Sequence, residues 1–138
     1  MAGARRKLTN PGCQAVLNDF VDGGKHRLTE RLASTGRSAA EYLDDLYFVE
    51  GNVSAACLKN RTRLAFTAVG GRVIYMCDSR FVPYASRNAT GADMIVIHEL
   101  LHALGLGENP PTSADITDRV SARCGDGHDG SETDRCPT

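Results

Sequence analysis

The stretch Met94-Ile95-Val96-Ile97-His98-Glu99-Leu100-Leu101-His102-Ala103-Leu104 is apolar at every position except His98, Glu99 and His102. Closed by Gly105, it predicts a helix over residues 92–104 that is buried nearly all round, and such a helix needs other layers to cover it. The three ionisable groups need partners there, because an unpaired polar or charged group in an apolar interior is costly. His98 and His102 stand one helical turn apart, so both imidazoles can reach one ion while Glu99 addresses a water on it. This H-E-x-x-H spacing predicts a Zn2+ site with His98 and His102 as ligands and Glu99 as general base. The plainer alternative is a pair of core histidines bonded to backbone carbonyls, with Glu99 turned to solvent.

The pattern continues through Gly105-Leu106-Gly107-Glu108. Over these eleven residues, 98–108, the chain resembles the metzincin clan of zinc peptidases, whose extended motif H-E-x-x-H-x-x-G-x-x-H sets a glycine turn before a third ligand. It departs from that motif in two places. Glu108 stands where the third histidine belongs, and no methionine follows Met94, so there is no Met-turn. Two histidines with a glutamate is a known catalytic zinc set, and Gly105 can take the left-handed conformation that turns Glu108 back toward the histidines. Glu108 is therefore the expected third ligand. Asp115 or Asp118 would instead make the site resemble gluzincins or the deuterolysin-like aspzincins, although both also suit a helix N-terminus. His128, His26 or water complete the alternatives. The resemblance implies a zinc-dependent metallopeptidase: a water activated by zinc and Glu99, a peptide or protein substrate laid along the edge of a sheet, with residues 72–76 as the candidate edge. Tyr84 or Tyr75 is a candidate for supporting the oxyanion. The rival expectation is a secreted zinc-binding interaction domain without catalysis. Glu99 argues against it, since a structural site has no use for an unligated carboxylate at that place.

Outward from this helix, the pattern predicts one α+β domain over residues 1–138 with a short mixed or antiparallel sheet. Cys13, Val16, Leu17 and Phe20 follow Asn10-Pro11 at helical spacing and predict an amphipathic helix over 10–21. Leu28 and Leu32 suggest a further turn or two, stopped by Gly36. Ser38 with Glu41 forms a capping-box signature for a helix through about Leu46. Tyr47-Phe48-Val49 is a short β-prone run ended at Gly51, and residues 63–69 and 72–76 are two more, joined at Gly70-Gly71 as a tight hairpin. Residues 79–91 mix turn formers with Phe81, Val82 and Tyr84. Thr112-Ser113-Ala114-Asp115 opens a last helix reaching about Cys124, and the Gly- and Asp-rich tail from Gly125 is expected to be loosely ordered.

With 16 basic against 17 acidic residues and a formal net charge of −1, the chain carries no general attraction for nucleic acid or an anionic membrane. Arg5-Arg6-Lys7 is expected to be a solvated end. No run is long and apolar enough to span a bilayer. There is no G-x-S-x-G elbow, P-loop or dinucleotide glycine pattern, and Asp126-Gly127-His128-Asp129-Gly130 does not match a calcium loop. The five cysteines, at 13, 57, 77, 124 and 136, contain no C-x-x-C pair. Wide spacing in a small domain suggests two disulfides with one thiol left over, and hence a secreted or extracytoplasmic monomer. Sequons at Asn52, Asn60 and Asn88 would mark exposed loops if glycosylated.

Overall fold

A computed structural model describes residues 2–125. The chain opens with α1 (Ala2–Lys7), α2 (Pro11–Gln14) and a 3-10 turn (Ala15–Asn18), then α3 (Leu28–Ala33) and α4 (Ala39–Asp44). The first strand, β1 (Tyr47–Glu50), is followed by α5 (Ala55–Lys59), β2 (Ala65–Phe66) and β3 (Val73–Met76). Three helices close the described residues: α6 (Asp78–Arg87), α7 (Ala89–Ala103) and α8 (Ser113–Cys124). This is a small α+β domain with a three-stranded mixed sheet.

The sheet order is β1-β3-β2, with β1 parallel and β2 antiparallel to β3. Residues 72–76 are therefore the middle of the sheet and not its edge. A central strand needs a buried side chain at alternate positions, and Ile74 and Met76 supply it. The edge is β2. The connection from β2 to β3 is also wider than a two-residue hairpin, spanning residues 67–72. It wanders because it has a second partner: the Gly70 amide donates to the His102 carbonyl at 2.8 Å, tying the loop to α7, and Gly70 takes a φ of 79°.

The capping box of α4 forms in both directions, Glu41 N–H to Ser38 Oγ and Ser38 N–H to the Glu41 carboxylate. The helix ends at Asp44, two residues short of expectation, and Leu46 is buried in the turn that follows. The helix expected over 10–21 is real only as α2 and the 3-10 turn, since a short segment cannot sustain α-helical winding without packing along its whole length. Two further corrections concern charged and turn-forming stretches. Of Arg5-Arg6-Lys7, the first two are exposed as expected, Arg5 pairing with Asp44, but α1 packs on α7 and Lys7 is not solvated: its Nζ meets Asp93 Oδ2 at 2.9 Å with both side chains largely buried. Residues 78–87 form α6 despite Pro83, and the short α5 had no periodic signal to betray it.

Buried side chains from α1, α2, α4, β3, α7 and α8 make up the core, with α7 at its centre. Two disulfides staple it: Cys13–Cys124 joins α2 to the end of α8, and Cys57–Cys77 joins α5 to the start of α6. Cys136, His128 and the rest of the tail expected to be loose lie outside the described residues. No helix among the described residues is long and apolar enough to cross a membrane.

Candidate metal centre

From Val96 to Ala103 every residue of α7 is buried, including His98 at 6%, Glu99 at 7% and His102 at 6% exposure. All three open onto one cavity of about 360 Å³, whose opposite wall is the chain from Leu64 through β2 to Thr67. The two imidazoles lie with ring centroids 5.0 Å apart and planes tilted by 57°.

The second nitrogen of each ring is already engaged. His102 Nδ1 lies 2.7 Å from the Leu106 carbonyl oxygen, which can only accept, so Nδ1 carries the proton and Nε2 presents its lone pair. The local cause is the end of α7. Leu106 N–H donates to the Leu101 carbonyl and Gly105 N–H to the His102 carbonyl, the paired bonds of a Schellman turn, with Gly105 at a φ of 121°. Glycine is required here twice over, since a Cβ would also sit 3.1 Å from Asp22 Cβ. This turn both places the Leu106 carbonyl over His102 and swings the chain back. His98 Nδ1 is held 3.0 Å from Thr117 Oγ1 on α8. Thr117 was not anticipated from the sequence. Its only signal is position: Ile116 and Val120 point α8 into the core, which sets Thr117 at the margin of that face, against α7.

Burial and the neighbouring His102 push the His98 pKa down to about 4, so its ring is neutral at ordinary pH, the form that ligates a metal. Burial raises Glu99 to about 7, with Glu108 adding to the rise and the Arg63 guanidinium opposing it. Glu99 Oε1 is buried and has no hydrogen-bond partner. A carboxylate oxygen left so in an apolar helix is an uncompensated cost, unless something in the cavity engages it.

Glu108, exposed at the cavity mouth, brings Oε1 to 3.4 Å from His102 Nε2. Two donors each about 2.0–2.1 Å from a tetrahedral zinc stand about 3.4 Å apart, so this spacing suits a shared ion. The described residues nevertheless contain no closed group of three His, Cys, Asp or Glu side chains, because the close contact is pairwise between His102 and Glu108. The other expected donors are elsewhere. Asp115 completes the capping box of α8 with Thr112, Asp118 is exposed, and His26 sits at the surface beside Asp22. Neither tyrosine lines the cavity: Tyr75 stacks on Phe66 at 4.9 Å, and Tyr84 faces a separate pocket. Arg63 is a cationic side chain in the cavity lining, near enough to act electrostatically on Glu99.

The residues present fit a zinc ion by chemistry. Two imidazoles are oriented through Nδ1, a carboxylate stands at ligand spacing, and a second carboxylate is left unpartnered beside them. No known protein family, curated protein or solved structure matches the chain.

Proposed function

We propose that the chain is a zinc-dependent metallopeptidase of zincin type, with His98, His102 and Glu108 holding the ion and Glu99 as the catalytic base. The observation that carries this reading is the buried, unpartnered Glu99 oxygen, next to two histidines whose Nδ1 atoms are each engaged by another protein group, Thr117 and the Leu106 carbonyl. Core histidines packed for stability alone would leave no reason to bury a carboxylate between them.

When bound, zinc supplies Lewis acidity, acidifying a water and polarising the scissile carbonyl. Glu99 would act as the proton shuttle of the reaction, accepting a proton from the attacking water and returning it to the leaving amine nitrogen. Thr117 and the Leu106 carbonyl fix the imidazole orientations. Arg63, in the cavity wall, is the cationic side chain placed to support developing negative charge on the substrate oxygen. An extended peptide would add to the sheet along β2, the edge strand beside the cavity. Two disulfides support action in an oxidising, extracytoplasmic setting.

Zinc titration of the metal-free chain, with His98→Ala, His102→Ala and Glu108→Ala, tests the ligand set. About one zinc per chain is expected for the wild type, with severe loss of affinity for either histidine variant and a smaller loss for Glu108→Ala. Equal zinc binding by all four proteins contradicts the assignment.

A further inference from the structure

Beside the catalytic cavity lies a second one of about 340 Å³, and the two share Thr62 and Leu64 as a common wall. Its rim is basic. Arg80 and Arg87 come from α6, seven residues apart on the face that also carries Pro83 and Tyr84, and Arg61 comes from the loop opposite. Arg80 holds that loop in place by donating to the carbonyls of Asn60, Arg63 and Cys57.

The surrounding charge is lopsided. Residues 51–92 contain Lys59, Arg61, Arg63, Arg72, Arg80 and Arg87 against Asp78 alone, in a chain whose formal net charge is −1. Elsewhere Arg5, Arg31, Arg37, Arg119 and Arg123 each meet an aspartate. Among the described residues no carboxylate lies within ion-pair distance of Arg61, Arg80 or Arg87. Arginines gathered on a concave surface without counter-charges are arranged to receive one from outside.

We propose that the cavity rimmed by Arg61, Arg80 and Arg87 is a substrate subsite for acidic side chains, so that the chain selects peptide segments carrying Asp or Glu near the bond lying over His98 and His102. The inference rests on the peptidase reading for the identity of its ligand. It follows from the shared wall: a peptide extended along β2 across one cavity carries its neighbouring side chains toward the other. Ser79 adds a hydroxyl donor at the same rim. A nucleic acid fits less well, because the basic surface is one local pocket on a net-negative chain and not a track matching a line of phosphates.

The test uses two fluorescein-labelled peptides, identical except for glutamate or glutamine at alternate positions. Their binding is measured by anisotropy to the full chain as Glu99→Gln, with zinc supplied, so that no turnover intervenes. The glutamate peptide is expected to bind about tenfold more tightly. That preference should fall below about twofold when Arg61→Gln and Arg87→Gln are added; both side chains are exposed and make no contact the fold needs. Equal affinity for the two peptides overturns the proposal, as does a preference that survives the double substitution. An RNA oligonucleotide that binds more tightly than the glutamate peptide and loses affinity in the double variant overturns it in favour of a nucleic-acid surface. Hydrolysis by the otherwise wild-type chain separates the two claims. Selective binding without hydrolysis of either peptide upholds the subsite and refutes the peptidase, whereas hydrolysis of both with equal affinity does the reverse.

Discussion

Glu99 is an acid buried where its charge is unwelcome, and this has a measurable consequence in the metal-free chain. Its pKa is raised from 4.5 to about 7, so its contribution to stability is fully present below about pH 4.5 and is lost as pH rises through about 7. His98 acts in the opposite sense. Lowered from 6.5 to about 4, it contributes stability above about pH 6.5 that is lost as pH falls through about 4. Comparing wild type with Glu99→Gln isolates the first term. Without metal, Glu99→Gln should exceed the wild type in stability by up to about 3 kcal/mol at pH 8, and the gain should vanish at pH 4, as read by urea denaturation. Thr117 makes a second case at this scale. Thr117→Val keeps the shape of the side chain but removes the oxygen facing His98 Nδ1. It should weaken zinc binding by about tenfold or more while the thermal midpoint of the metal-free protein hardly moves. His98, Glu99 and His102 were legible in the sequence because their spacing is local to one helix. Thr117 was not, because its role depends on α8 crossing α7, a tertiary contact with no signature in the chain.

Elements whose start or stop depends on a specific side chain were legible, and those held by distant contacts were not. The Ser38–Glu41 and Thr112–Asp115 boxes mark α4 and α8, and Gly105 marks the end of α7. By contrast α6 has no fully buried residue and carries Pro83, so neither periodicity nor propensity announces it. It is held by Arg80, which reaches back to three carbonyls of the preceding loop, and by the disulfide at its N-terminus. The sheet order was missed for a related reason: β2 has only two paired residues and β1 lies parallel to β3, a pairing that sequence neighbours do not suggest. The Schellman turn gives the sharpest test at this scale. Gly105→Ala forces a Cβ into a φ of 121° and against Asp22. It should cost about 1–3 kcal/mol in denaturant unfolding, and zinc affinity should fall with it, because the same turn sets the Leu106 carbonyl and Glu108. Ser38→Ala, about 1 kcal/mol in α4, should leave zinc affinity unchanged.

The whole molecule is small, and its buried polar helix is held in place by covalent closure as well as by packing. Cys13–Cys124 spans 111 residues and closes the described chain almost end to end, whereas Cys57–Cys77 spans 20. Chain entropy then predicts that Cys13→Ala with Cys124→Ala costs about 4–5 kcal/mol and that Cys57→Ala with Cys77→Ala costs about 3. Unfolding of the two double variants under identical conditions checks that order. The basic residues are distributed unevenly at this scale too, with Arg61, Arg80 and Arg87 together at one cavity without a carboxylate partner among the described residues, whereas Arg5, Arg31, Arg37, Arg119 and Arg123 each meet an aspartate elsewhere. Total composition conceals this arrangement. The central claim, that Glu99 activates a water beside a zinc held by His98 and His102, is tested most directly by measuring zinc content and casein hydrolysis together for the wild type and Glu99→Ala. About one zinc in each protein, with hydrolysis in the wild type alone, is the predicted result; zinc in neither, or hydrolysis undiminished in Glu99→Ala, contradicts it.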